Sequence, residues 1–401
     1  MGAADATEGR RRLALFIYDF SGGGAQRCTL TLANAFAARG HQVDLVVVRS
    51  QGPLLPELSP RVRLVAFDRR WTSLPWAALE RAPKTMSVVA FASYLRAERP
   101  DIVLSAASHV NRAALWARLL TGVRTRLVIR VSNHPTRSSV DTRGRRQRLR
   151  LWQARYLFPK ADAIVANSDG VADDVARITG LPRQRIETIY NPVGTPELRA
   201  KLCAPLDHPW FAPGSPPVVL GVGKFKMQKD FPTLLKGFAR VRAMRPARLL
   251  ILGEGRQRQE LEALARDLGV SADVALPGFV PNPFPYMARA SLFVLSSAWE
   301  GLPGVLIEAL ACGCPVVSTD CPSGPAEILD GGRYGPLVPV GDDRVLADAM
   351  LARLSAAPDR ETLRARAALF DMDHAVDRYL EVLLGSNGRP ARRMGESSRD
   401  G

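Results

Sequence analysis

Residues 292–317 spell out a complete βαβ unit, which commits the surrounding chain to a parallel sheet. Leu292-Phe-Val-Leu295 is an apolar run of strand length, Ser296 and Ser297 leave it, and Val316-Val317 begins another. A helix is expected between them. Pro303 suits its first position, where a missing N–H costs no bond, and Gly313 and Pro315 stop it. The segment Glu300-Gly-Leu-Pro-Gly-Val-Leu-Ile-Glu308 then sets its two carboxylates apart. Glu300 falls in the loop at the mouth of the unit, and Glu308 about a turn and a half into the helix. The N–H groups between them form a helix N-terminus, a ready anion site. Such a cleft can hold a phosphorylated, polyhydroxylated ligand. The same spacing also fits a solvated loop glutamate and a separate glutamate on a helix surface.

The alternation extends along the chain. Residues 13–18 read as a buried parallel strand, 21–24 as a Ser-Gly-Gly-Gly turn, 25–39 as a helix closed by Gly40, and 43–48 as the next strand. This is the start of a doubly wound sheet, with further strands expected at 102–104, 127–129 and 163–165. The pattern breaks at 189–192, and Pro-rich sequence follows to 217. A second series begins at 218–220 and continues at 249–252, 274–276, 292–295 and 316–318, with helical sequence over 342–384. A chain of 401 residues is too long for one ordinary core. The expected division is a disordered stretch over 1–10, a Rossmann-like domain over 11–190 and a linker over 191–217. A second Rossmann-like domain over 218–384 and a disordered basic tail over 385–401 complete it. The Gly22-Gly23-Gly24 loop lacks G-x-G-x-x-G spacing, and the strand after it ends in Arg49-Ser50 instead of an acid for a ribose. A dinucleotide site is therefore not indicated, although such a loop can still approach a phosphate closely.

Five segments stand in order over 218–342. They are Gly-Val-Gly-Lys-Phe-Lys-Met-Gln-Lys-Asp-Phe (221–231), Ile-Leu-Gly-Glu-Gly (251–255), Pro-Gly-Phe-Val (277–280), Glu300 to Glu308, and Ala-Cys-Gly-Cys-Pro-Val-Val (311–317). Together they resemble the C-terminal half of the retaining glycosyltransferases of family 4; the N-terminal half of the chain matches more loosely. The resemblance implies an α/β protein of the GT-B fold, two Rossmann-like domains facing across a cleft. It implies a nucleotide-sugar donor, expected to be a UDP-sugar with GDP the alternative, and no cofactor. Gly23 and Gly24 match the loop that closes over donor diphosphate and acceptor. Lys224 and Lys229 match the diphosphate cations, although the family usually has Arg at the first position, so a point charge replaces a bidentate fork. Glu308 matches the ribose-binding carboxylate, Glu300 the one facing the transferred sugar, and His134 a histidine near the transfer centre. Backbone groups of Leu302, Gly304 and Val305 are implied to hold sugar and phosphate oxygens, and that of Val280 to meet the base. Glu300, His134 and Lys229 are the implied catalytic set. No Asp-x-Asp of the metal-holding kind is present, and Asp173-Asp174 and Asp342-Asp343 lack its context. Metal-free stabilisation of the leaving diphosphate is expected.

The charge sets the acceptor side. Of a net +16, residues 130–160 carry +8, which attracts nucleic acid, anionic headgroups or a pyrophosphate-linked substrate. Arg69-Arg-Trp-Thr-Ser-Leu-Pro-Trp76 interleaves bases with tryptophan, and Lys84, Met86, Val88, Val89, Phe91, Tyr94, Leu95 and Arg96 follow. That pattern suits an anionic membrane surface, while ordinary helices with buried tryptophan fit it equally. The expected acceptor is a glycan or lipid-linked glycan, with a soluble sugar or sugar phosphate as the alternative. Nucleic acid is not expected, since no recognised motif or aromatic stacking platform is present. No run reaches the ~18 apolar residues of a membrane span, and residues 1–12 contain no signal-peptide core. A cytoplasmic enzyme, peripheral on the inner face of the membrane, is the expected location. The five cysteines, 28, 203, 312, 314 and 321, are odd in number and irregular in spacing, as for packing residues rather than disulfides or a metal site.

Overall fold

Strands β1 (Arg12–Ile17), β2 (Gln42–Val47), β3 (Arg63–Ala66), β4 (Ile102–Ala106), β5 (Arg126–Val131), β6 (Ala163–Ala166) and β7 (Ile186–Thr188) make one sheet. All are parallel, in the order β3-β2-β1-β4-β5-β6-β7. A second parallel sheet holds β8 (Val218–Val222), β9 (Arg248–Leu252), β10 (Val274–Gly278), β11 (Leu292–Leu295), β12 (Val316–Thr319) and β13 (Leu337–Val338). Its order is β10-β9-β8-β11-β12-β13. This computed structural model describes residues 11–70, 83–138, 144–192, 202 and 204–385. Of the expected disordered ends, 1–10 and 385–401, all but Gly385 lie outside the described residues, as does the Trp-bearing segment 71–82.

Each sheet reverses direction once, between β1 and β4 and between β8 and β11. Ligands of doubly wound sheets bind at such points, beyond the carboxyl ends of the strands. The loops there are those after β1, carrying Gly22 to Gly24, after β8, carrying Lys224 and Lys229, and after β11, carrying Glu300. Burial follows the pleat: Leu13, Leu15 and Ile17 enter one core and Ala14 and Phe16 the other. The second sheet likewise has a core on each face.

The second half is shorter in packing terms than 218–384. The expected continuous helical stretch is three helices, Asp343–Ser355, Arg360–Ala368 and Met372–Leu384. The last returns to the first domain, where Ala375, Val376, Tyr379, Val382 and Leu383 pack with Leu13, Leu15 and Leu45. Among the described residues no helix is long and apolar enough to cross a membrane. The described cysteines, 28, 312, 314 and 321, are free and buried. Burial pushes the Cys314 thiol up to about 12; burial and the nearby Glu300 do the same for Cys321.

Backbone contact shapes the loop after β8. Gly253 has φ +151°, and a Cβ there would lie 1.9 Å from the Gly223 carbonyl oxygen. A Cβ on Gly255 would lie 2.3 Å from the Phe225 carbonyl. The Phe225 amide donates to the Glu254 carbonyl at 2.9 Å, fixing this approach. Gly253→Ala is therefore expected to lower unfolding free energy by about 2–4 kcal/mol through strain and overpacking, read as a lower urea midpoint at unchanged slope.

Candidate active site

Glu300 is buried, with 6 % of its surface exposed. Its Oε1 accepts from Lys229 Nζ at 2.7 Å and from Ser297 Oγ at 2.7 Å, and its Oε2 from Gln228 Nε2 at 3.1 Å. The loops after β8 and β11 are thereby tied across the reversal of the second sheet. The Lys229 stem reaches Glu300 over Gly223, where a Cβ would stand 2.9 Å from Lys229 Cε. Asp230, with φ +45°, turns the chain from this loop into the helix Phe231–Met244.

Two helices begin in the loops after β1 and β11. The helix Gly24–Ala38 begins at Gly23 and the helix Gly304–Ala311 at Pro303, and neither has a side-chain cap or an acid in its first turn. Their first-turn N–H groups are thus left for an anion. Pro303 is the residue before the helix and not its first residue, as the sequence suggested; Glu308 still lies in the second turn and is half-buried. Leu302 is buried, Val280, Gly304 and Val305 are half-buried, and Gly24 is exposed. Lys224 is exposed, and its Nζ donates to the Ser21 carbonyl of the first domain at 3.2 Å. Lys224 therefore bridges the loop of Gly23 and Gly24 to the second domain.

His134 follows β5 and is buried against Asp174, with Nδ1 2.8 Å from Asp174 Oδ2, although the ring is turned away from a linear hydrogen bond. Asp174 also accepts from the Thr136 amide at 2.9 Å and hydroxyl at 2.6 Å, and pairs with Arg177. Burial opposes its ionisation, but the adjacent His134 ring and the bonds from Thr136 outweigh that and hold its carboxyl below the usual range. Asp174 was set aside in the sequence as one of two adjacent acids. Its contact with His134, a helix and a strand away, has no spacing signal in the chain. Gln228 and Ser297 were missed for a similar reason, since they matter only through Glu300.

The domains meet closely beside these groups. A Cβ on Gly301 would lie 2.3 Å from the Ser132 carbonyl oxygen, and one on Gly170 would lie 2.8 Å from Ser323 Oγ. Glu327 accepts from the Asp169 and Gly170 amides at 2.7 and 3.1 Å, capping the first-domain helix Asp169–Thr179 from the second domain. Arg130 is wholly buried and joins the same seam. Its Nε donates to Tyr379 Oη at 2.8 Å and its Nη2 to Asn191 Oδ1, while Asn191 Nδ2 donates to the Leu302 carbonyl at 3.2 Å. Arg130 therefore leaves the basic surface to which its sequence position assigned it.

Two more sequence readings are settled. Phe91, Tyr94 and Leu95, grouped with a membrane-facing pattern, are buried in the first core, because the helix Pro83–Glu98 turns them inward. Val89 of the same helix is exposed, and a cluster of exposed apolar residues stands on the helix Arg145–Leu157, where Leu149, Trp152 and Tyr156 lie beside Arg145, Arg146, Arg148 and Arg155.

Two family profiles match, glycosyltransferase family 4 over 22–196 and glycosyl transferases group 1 over 216–356. The lipopolysaccharide core biosynthesis glycosyltransferase LpsE of Rhizobium meliloti is 30 % identical over 90 % of this chain and 96 % of its own length. A Campylobacter jejuni N-acetylgalactosamine-N,N'-diacetylbacillosaminyl-diphospho-undecaprenol 4-alpha-N-acetylgalactosaminyltransferase is 27 % identical over 94 % of this chain and all of its own. Among solved structures, Anabaena HepE in complex with UDP-glucose superposes with TM-score 0.73 at 19 % identity over 94 % of this chain and all of its own. The sucrose-phosphate synthase of Thermosynechococcus elongatus does so with TM-score 0.75 at 22 % identity over 94 % of this chain and 99 % of its own. These two likenesses establish the GT-B fold.

The Lys229–Glu300 pair yields a two-part expectation. Lys229→Ala strands a buried carboxylate and is expected to cost about 3 kcal/mol or more of stability as well as turnover. Adding Glu300→Gln should restore most of the stability and none of the turnover. Thermal melts beside initial rates check this; recovered turnover in the double variant would make the pair purely structural.

Proposed function

The chain belongs to the family 4 glycosyltransferases, and on that premise we propose that it transfers a sugar from a UDP-sugar to a lipid-linked glycan, with retention and without a metal ion. One observation carries the reading: Lys229 pairs with the buried Glu300 between the loops after β8 and β11, while Lys224 reaches the Ser21 carbonyl in the loop after β1, and an uncapped helix follows each of the loops after β1 and β11. Fixed cations and N–H dipoles of this kind suit a leaving nucleoside diphosphate, whose charge develops as the glycosidic bond breaks. In the proposed step the acceptor hydroxyl oxygen bonds to the anomeric carbon on the face that the diphosphate leaves. The C–O electron pair departs with the diphosphate, and a departing phosphate oxygen takes the acceptor proton.

The residue roles follow from reach. Lys229 and Lys224 would neutralise the diphosphate, aided by the amides of Gly23, Gly24, Gly304 and Val305. Glu308 would hold the ribose diol, which a carboxylate can do with two accepted bonds. Val280 would meet the base through its backbone. Glu300, fixed on three sides, would receive the sugar hydroxyls and keep Lys229 in position. His134 would bond the sugar or orient the acceptor from the opposite domain.

The acceptor class is supported by the Campylobacter relative, whose name specifies a diphospho-undecaprenol substrate. The helix Arg145–Leu157 adds a physical reason. Leu149, Trp152 and Tyr156 recur at helical spacing, the Trp152 and Tyr156 rings stack at 5.9 Å, and arginines border them. Interfacial tryptophan within a basic rim suits an anionic membrane surface. A peripheral enzyme on the cytoplasmic face is the corresponding location.

Thermal melting against UDP-, GDP-, ADP- and CMP-sugars with EDTA present tests the donor. A UDP-sugar at 100 times its Kd should add about 2.7 kcal/mol of stability with EDTA present. A shift abolished by EDTA would refute metal independence, and no shift with any of them would refute a nucleotide-sugar donor. The anomeric configuration of the product, read by NMR, decides retention. For the membrane surface, the protein should float with vesicles containing anionic lipid, and Leu149→Ser with Trp152→Ser should abolish flotation without changing the UDP-induced shift. Unchanged flotation of that variant would remove this helix from the reading.

A further inference from the structure

Asn191 lies just after β7, where the chain leaves the first domain, and it is buried. We infer that Asn191 is a positioning residue for the leaving diphosphate. Held by Arg130, it fixes the Leu302 carbonyl and so aims the N–H groups that open the helix Gly304–Ala311. The inference rests on the glycosyl-transfer reading and adds to it a residue that acts from the hinge.

The Asn191 amide is used at both ends. Its Oδ1 accepts from Arg130 Nη2, and its Nδ2 donates to the Leu302 carbonyl at 3.2 Å. A guanidinium only donates and a carbonyl only accepts, so one orientation of the amide alone satisfies both. An aspartate of the same shape offers acceptors only. Arg130 is in turn held on two sides. It is wholly buried at the end of β5, and its Nε donates to Tyr379 Oη at 2.8 Å. Tyr379 belongs to the helix Met372–Leu384, which packs on the first domain. The Leu302 carbonyl is thereby anchored to the first-domain sheet, although Leu302 itself packs in the second domain's core.

The peptide that Asn191 holds has one handle. Residue 303 is proline, so the 302–303 peptide has no N–H, and its carbonyl is the only group through which a hydrogen bond can fix it. Pro303 leads directly into the helix Gly304–Ala311, which has no side-chain cap. Rotation of that peptide would turn the Gly304 and Val305 amides away from a common point, and these are the amides assigned to the diphosphate. The turn at Gly324 touches the same segment: a Cβ there would lie 2.6 Å from the Gly301 carbonyl oxygen and 3.1 Å from Leu302 Cα. Such packing limits translation, whereas a hydrogen bond sets direction. Stability alone accounts poorly for the arrangement, since Arg130 Nη1 has no partner among the described residues and a buried cation left partly unsatisfied stabilises little. The diphosphate site is then fully formed only when the second domain sits against Asn191.

Calorimetric titration of UDP into the full chain, beside amide hydrogen exchange over residues 304–311, tests this in the wild type, Asn191→Asp and Tyr379→Phe. Asn191→Asp keeps the bond from Arg130 and neutralises its charge, but it sets a carboxylate oxygen against the Leu302 carbonyl. The folded variant is expected to bind UDP about tenfold more weakly, the order of cost for a buried carbonyl that loses its donor, and donor KM should rise with it. Exchange should quicken at Leu306, whose amide donates to the Pro303 carbonyl at 2.9 Å. Tyr379→Phe loosens Arg130 and should shift both readouts the same way, with UDP weakened about twofold to threefold. It keeps the test valid if the aspartate variant does not fold. A merely structural role would lower the melting temperature and leave the UDP Kd of the folded variants at the wild-type value, which would overturn the proposal. Weaker UDP binding with unchanged exchange would also overturn it, by removing the link through Leu302. Faster exchange with unchanged UDP affinity would overturn the tie between this helix start and the diphosphate. Failure of the transfer reading shows separately, as no UDP binding to the wild type beside faster exchange in Asn191→Asp.

Discussion

A carboxylate taken out of water needs compensating charge and hydrogen bonds, and a lysine beside it needs the same. Glu300 and Lys229 meet that need in each other, with Ser297 and Gln228 completing the set. The pair makes further demands on the backbone. Lys229 reaches Glu300 only because Gly223 has no side chain in its way, and the Gly223 loop can lie where it does only because Gly253 has none either. A line of close contacts thus runs from β9 through the loop after β8 to the loop after β11. Two glycines and two charges, far apart in sequence, form a single mechanical unit, so a change at one end is felt at the other.

The seam between the domains is built from shape and from hydrogen bonds offered across it. Gly301 against Ser132 and Gly170 against Ser323 bring backbone to backbone, while Glu327 caps a helix of the opposite domain. Such contacts are directional and lose value over an ångström of separation. Burial raises the Glu327 carboxyl above its usual range even though the Asp169 and Gly170 amides favour its charge. The seam therefore holds one arrangement through directional contacts.

Much of this was legible in the sequence where a long-range fact leaves a local mark. The apolar strands, the helix stop at Gly313 and the glycine-rich turn after β1 each did so. Strands β3, β7 and β13 did not, because edge strands are covered on fewer sides and carry less apolar sequence. The helix starting at Gly304 was read one residue early, since Pro303 satisfies both the first helical position and the one before it. For Phe91, Tyr94 and Leu95 the sequence left a membrane-facing and a buried helix equally open, because spacing on a helix does not say which way its stripe faces; the buried alternative is the one found. Asp174, Gln228 and Arg130 act on partners dozens to hundreds of residues distant, and only the folded chain brings them together. The basic stretch at 130–160 shows both sides: its Arg145–Leu157 portion does stand on the surface, while its first residue is a buried strut.

The helix Met372–Leu384 crosses back to pack on the first domain. The chain therefore passes between the domains twice, once near Asn191 and once after Phe370, which packs in the second core. One covalent crossing would act as a swivel, allowing rotation about any axis. Two crossings side by side, with the Tyr190 and Phe370 rings 5.4 Å apart, act as a door hinge, leaving one axis of easy rotation and stiffening the rest. Opening and closing of the cleft is then guided along one path, with Gly301 returning to Ser132 and Glu327 to the same helix end at each closure.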